Sequence, residues 1–100
     1  TDSLALVLAQ EAIRVGADKE VSEDKQGFFY MPFMHSESKL IHIEAVRLFK
    51  SVGIQNNLDF EYKHKEIIDK FGRYPHRNTI LGRHSTIDEI EFLKQPNSVF

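Results

Sequence analysis

Three stretches of helix-forming residues in this sequence each run into a glycine: Leu4 to Val15 into Gly16, the segment around Leu40 to Val52 into Gly53, and Asn57 to Phe71 into Gly72. Glycine is the residue that most easily takes the left-handed conformation that closes a helix, so each run reads as a helix with its own stop. No stretch alternates polar and apolar residues between hairpin turn signals, which leaves strands without support. The expected fold is all-α, an array or bundle of antiparallel helices.

The remaining helix signals agree. Ser22 followed by Glu23 and Asp24 predicts a hydroxyl cap with acids at the positive end of a dipole, leading into Phe28, Phe29 and Tyr30, with Pro32 limiting the run. The next helix is expected from Ser36 or Ser38, with Leu40, Ile41, Ala45, Leu48, Phe49 and Val52 at helical spacing. The fourth carries Phe60, His64, Ile67, Ile68 and Phe71 on one face. Thr86-Ile-Asp-Glu89 fits a capping box ahead of a short last helix with Ile87, Ile90 and Leu93, which Pro96 stops.

One hundred residues, 41% of them hydrophobic, suffice for one small helical segment and exclude a multidomain enzyme. With no cysteine there is no disulfide framework, no thiolate metal site and no cysteine nucleophile. No apolar run approaches the roughly 20 residues of a membrane span, and no secretory signal is legible. The expectation is a cytoplasmic protein with no membrane contact. The chain opens on Thr1, and helix formers begin almost at once, so further residues are expected upstream.

Charge is unevenly placed. The formal net charge is −2, yet between Lys70 and Ile87 there is no acidic residue, and Lys70, Arg73, Arg77 and Arg83 give +4. A local basic segment in an acidic chain points toward a small anion or toward acids elsewhere in the fold, and makes nucleic acid the weaker candidate. Within it Arg73, His76, Arg77 and Asn78 surround Tyr74 and Pro75, with Arg83 close behind. Guanidinium forks bind carboxylate or phosphate in bidentate fashion, so this loop is the candidate anion site. The competing role is structural, the arginines pairing with the fold's own acids and carbonyls, and it carries more weight because charged networks are often structural. Either role predicts that Arg73 and Arg77 are largely buried and partnered.

Other constellations are thinner. In His35-Ser36-Glu37, Ser36 is expected to cap a helix, with His35 and Glu37 as supporting polar residues that could face the arginine loop as an acid/base pair. Ser36 lacks the glycine-flanked elbow of a serine nucleophile. Glu61-x-x-His64 has di-iron ligand spacing, but a di-iron site needs a second such pair and further glutamates, so no metal is expected, and His64 reads as a hydrogen-bonded face residue. No cysteines accompany His35-x-Glu37 to make a zinc-deaminase motif, and no phosphate-cradling glycine loop or dinucleotide fingerprint calls for a cofactor.

The segments Phe29-Tyr-Met-Pro-Phe-Met-His-Ser-Glu37, Phe71-Gly-Arg-Tyr-Pro-His-Arg-Asn78 and Leu81-Gly-Arg-His-Ser-Thr86 closely resemble the bacterial family called domain of unknown function 924. The resemblance covers essentially the whole chain and matches the family's C-terminal half, ending at Phe100; the Asp-Gln-Phe-Pro-Arg-Asn motif of the family's N-terminal half is not found here, and it resembles Arg-Tyr-Pro-His-Arg-Asn78. It implies a helical fold similar to tetratricopeptide repeats, although their period of about 34 residues is not legible. It implies no reaction, and peptide binding is not inherited with the architecture.

The functional expectation is a helical binding or assembly segment with Arg73 to Asn78 as its polar focus; the alternative is an enzyme acting on a small anionic metabolite. The helix from Leu4 to Val15 is apolar on more than one side, so a companion N-terminal half or a second copy of the chain is expected to cover positions among Leu4, Leu6, Val7, Leu8 and Ile13.

Overall fold

A computed structural model describes residues 2–96 and residue 98. Among the described residues there are five α-helices and no strand: α1 (Asp2–Arg14), α2 (Glu23–Met34), α3 (Lys39–Val52), α4 (Gln55–Phe71) and α5 (Ile87–Leu93). Single 3-10 turns cover Ala17–Glu20 and Pro75–Arg77. Gly16, Gly53 and Gly72 follow α1, α3 and α4 with φ of 79°, 76° and 73°, the left-handed values that a helix-ending residue needs and that a Cβ disfavours. Helices α1 to α4 each pack against the one before, α5 follows a longer loop, and the result is an elongated array of 45 × 26 × 18 Å. Its radius of gyration, 14.4 Å, exceeds the roughly 13 Å of a compact chain of this length.

Two cores hold the array. The larger joins Tyr30, Phe33 and Met34 of α2 to Ala45, Leu48, Phe49 and Val52 of α3, with Ala9 of α1 at its edge. Phe49 is fully buried with the Tyr30 ring edge-on at 6.0 Å, so Phe49→Ala would cost about 3–5 kcal/mol. The smaller gathers Ile67, Ile68 and Tyr74, with Phe71 and Phe92 packed against it, and ties α5 to α4. Helix α1 meets the larger core with Leu6, Ala9 and Ile13. Its other side leaves Leu4, Val7 and Leu8 more than half exposed, with Val15 just beyond its end.

Local details depart from the expectations in informative ways. Helix α2 runs two residues past Pro32 to Met34, because Phe33 and Met34 are core residues and the His35 N–H closes the last turn on the Met31 carbonyl. Ser22 occupies the cap position, but its hydroxyl donates to Asp24 at 2.6 Å instead of accepting from the helix. Ser38, and not Ser36, caps α3, accepting from the Ile41 N–H; Ser36 Oγ accepts from the Ser38 N–H. Helix α4 starts at Gln55, and its inward face is Glu61, His64, Ile67 and Ile68, so Phe60 turns half outward. The Thr86–Glu89 capping box forms as expected.

Candidate functional site

The 35–37 turn sits between α2 and α3, and the 73–86 loop leaves the end of α4 and folds back across it. Glu37 joins them. Arg83 donates Nη1 to Oε1 at 2.9 Å and Nη2 to Oε2 at 3.0 Å, and the Tyr74 N–H donates to Oε2 at 2.6 Å. Burial raises the affinity of the Glu37 carboxyl for a proton, but the Arg83 and Tyr74 hydrogen bonds outweigh it and hold its pKa below the usual carboxylate value.

Arg83 is spent inside the loop as well. Its Nε donates to Asn78 Oδ1 at 3.0 Å and Nη2 donates to the Tyr74 carbonyl at 3.2 Å. Asn78 is fully buried and donates to Ser85 Oγ at 3.0 Å. Arg73 faces the other way, with Nε and Nη2 on the two oxygens of Glu89 at 2.9 and 2.7 Å and Nη2 also on the His84 carbonyl. These hydrogen bonds, Arg73's first, hold the Glu89 carboxyl down to about 2 despite its burial. Arg73, Asn78 and Arg83 thus act on the fold's own groups.

Arg77 packs on the aromatic ring of the same loop. Its guanidinium stacks over the Tyr74 ring at 4.7 Å, and it lines a cavity of about 370 Å³ with His35, Ser36, Glu37, Ser3, Leu6, Pro32 and Leu81. His76, beside it, packs its ring 5.9 Å from Tyr74, and burial lowers its pKa. The cavity therefore brings His35, Ser36 and Glu37 to Arg77, while Arg73, Asn78 and Arg83 hold the loop that carries Arg77. A larger concavity of about 570 Å³ lies between α3 and α4, lined by Ile43, Val46 and Tyr62 with Lys65 already paired to Asp69. It is an open, mostly apolar groove whose charged residues, Lys65, Glu66, Asp69 and Lys70, all come from α4.

Beneath the cavity lies a chain of polar groups that the sequence pattern did not reveal. His42, fully buried on α3, contacts the Ser36 carbonyl through Nε2 at 2.6 Å and Glu61 Oε2 through Nδ1 at 2.8 Å. A carbonyl only accepts, so Nε2 carries a hydrogen. Burial pushes the Glu61 carboxyl up, with the His42 contact opposing it. The Tyr74 hydroxyl, 3.0 Å from His42 Nε2, donates to the Met34 carbonyl at 2.5 Å. The missed signal was position: His42 shares a helical stripe with Ala45, Phe49 and Val52, all buried. The motif residue His64 donates Nδ1 to the Phe60 carbonyl at 2.6 Å, and burial lowers its pKa to about 4. Among the described residues no group of three or more His, Asp or Glu side chains is placed to hold a metal ion, and no helix is long and apolar enough to cross a membrane.

The profile of a bacterial family of proteins of unknown function, DUF924, matches residues 1–97. A solved structure of a protein of unknown function from Agrobacterium tumefaciens, ATU0120, is similar over 94% of this chain at 44% identity, with a TM-score of 0.88. That match takes in 53% of the relative, so the chain spans about half its length. No protein of curated function matches.

Proposed function

The chain belongs to this bacterial family, and from that premise we propose that it is a helical binding segment whose cavity between α2 and the 73–78 loop takes a small anion on Arg77. The observation that carries the reading is convergence. Two motifs some forty residues apart supply His35, Ser36, Glu37 and Arg77 to one concave surface, and a network of other arginines fixes the loop beneath it. A preorganised guanidinium loses little entropy on binding a carboxylate or phosphate. Saturating phosphate, succinate or lactate should raise the melting temperature by several degrees, and Arg77→Ala should abolish the rise. A melting curve that no anion moves would return Arg77 to a purely structural role.

A second reading, an enzyme acting on the same anion, draws on the titratable His35 in the cavity wall. Glu37 is poorly suited to accept a proton there, because Arg83 and the Tyr74 amide stabilise its ionised form. In that reading His35→Asn removes turnover and leaves anion binding in place; loss of binding alone speaks for the simple binding role.

The assembly side of the proposal rests on α1. Leu4, Val7, Leu8 and Val15 form an exposed apolar face opposite the core-facing Leu6, Ala9 and Ile13. We place a further helical layer on that face, from a companion N-terminal segment or a second copy of the chain; the Agrobacterium relative is long enough to hold such a segment.

A further inference from the structure

We propose a second ligand site, in the hollow where the last turns of α4 meet α5, for a small aryl carboxylate: one aromatic ring joined by a short chain to one carboxylate. The hollow has a volume of about 250 Å³ and shares no lining residue with the cavity at Arg77. Ile67, Phe71, Phe92 and Pro96 make its apolar part. The Phe71 and Phe92 rings meet at 5.0 Å with their planes tilted by 53°, and both stay partly exposed while Ile67 is buried. Two tilted rings offer an incoming ring a face and an edge at once, and aromatic groups prefer such arrangements to a parallel sandwich.

Charge selects the other end of the ligand. Lys63 and Lys70 line the same hollow, and among the described residues neither forms an ion pair, whereas Lys65 and Lys94 are taken by Asp69 and Glu91. Glu66 also lines it, so two lysines and one glutamate leave a net charge of +1, which suits a single carboxylate. Lys70 is the nearer partner. Its ammonium lies 5.2 Å from the centre of the Phe71 ring, which belongs to the hollow, whereas Lys63 lies over Phe60, which does not. An ammonium already held against that ring loses less freedom when an anion joins it. Size sets the rest: the hollow falls below the roughly 300 Å³ at which pockets for drug-sized ligands begin, so one ring and a short chain fill it.

The test is calorimetry on the whole chain with 3-phenylpropanoate, 3-phenylpropanol, 3-phenylpropylamine and acetate. The carboxylate should bind about ten-fold more tightly than the alcohol, and the amine and acetate more weakly than either. Lys70→Met, at an exposed position, keeps an apolar stem over Phe71 and removes the charge; it should bring the carboxylate down to the affinity of the alcohol and leave the alcohol unchanged, with Lys63→Met costing less. Amide NMR shifts on adding the carboxylate should cluster at residues 63–71 and 92–95. Equal affinities for carboxylate and alcohol, unchanged binding in Lys70→Met, or no binding by any probe would overturn this site. Shifts confined to residues 35–37 and 73–78 would overturn it too, and would place the ligand in the Arg77 cavity instead.

Discussion

Glu37 and Arg83 stand 46 residues apart in the chain and meet through two parallel N–H···O bonds, the only described link between the 35–37 turn and the far end of the 73–86 loop that uses both prongs of a guanidinium. Both side chains are about a quarter exposed, 24% and 25%, which weakens the pair relative to a fully dry one but spares it most of the desolvation cost. The bond geometry positions the loop that carries Arg77.

Arg83→Met should therefore destabilise the fold by about 2 kcal/mol, less than the loss of a fully buried partner. Combined with Glu37→Gln, the loss should fall short of the sum of the single variants, since each removes the same interaction. Urea midpoints of the four proteins measure this; strict additivity would mean that the pair contributes nothing.

Stability should fall with acid in two overlapping steps. The folded state holds His64 neutral down to about 4 while the unfolded chain takes a proton near 6.5, so that contribution is full above 6.5 and lost between 6.5 and about 4. Glu89 has a folded value of about 2 against 4.5 unfolded, so its contribution is full above 4.5 and lost between 4.5 and about 2. In denaturation series across pH 2–8, subtracting His64→Leu from the parent should isolate the upper step, and subtracting Glu89→Gln the lower. Difference curves flat in pH would contradict the assignment.

His42 Nδ1 and Glu61 Oε2 stand 2.8 Å apart in a site with no exposed side-chain surface. Glu61→Gln keeps a donor for Nδ1 and should cost about 1 kcal/mol, whereas Glu61→Ala leaves a cavity and an unpaired imidazole nitrogen and should cost about 3 kcal/mol. Equal losses for the two variants, read from thermal or urea unfolding, would show that a hydrogen-bonding partner at this position does nothing for His42.

The α1 face gives a solution measurement. Purified chain should associate as concentration rises, and Leu4→Lys with Leu8→Glu should return it to 11.6 kDa by light scattering without loss of helicity, both positions being more than half exposed. A parent chain that stays at 11.6 kDa and unfolds cooperatively at high concentration would show that the face needs no cover.

The helices were legible because their signals are local. Glycines at 16, 53 and 72, the Thr86–Glu89 box and the spacing of Ala45, Phe49 and Val52 depend on residues within a turn or two of each other. The loop was legible as a dense polar segment, and its pairing with internal acids was among the readings it supported, but which acid each arginine takes was not. Glu89 and Glu37 lie 16 and 46 residues from Arg73 and Arg83, and no period connects them. His42 was hidden for another reason: its ring replaces an apolar side chain on a core stripe, and only the approach of Glu61 from α4 and the Ser36 carbonyl makes that position polar.

The Tyr74 hydroxyl reaches the Met34 carbonyl across 40 residues of chain, and its ring lies on the smaller core under Arg77. Closing such a bond over 40 residues of free chain costs loop entropy, and folding of α3 and α4 back on α2 lowers that cost. Tyr74 is therefore expected to join late on the folding route. Tyr74→Phe should speed unfolding and leave the refolding rate nearly as it was, which makes the loop that shapes the cavity the part of the molecule whose grip is measured in lifetime and not in speed of assembly.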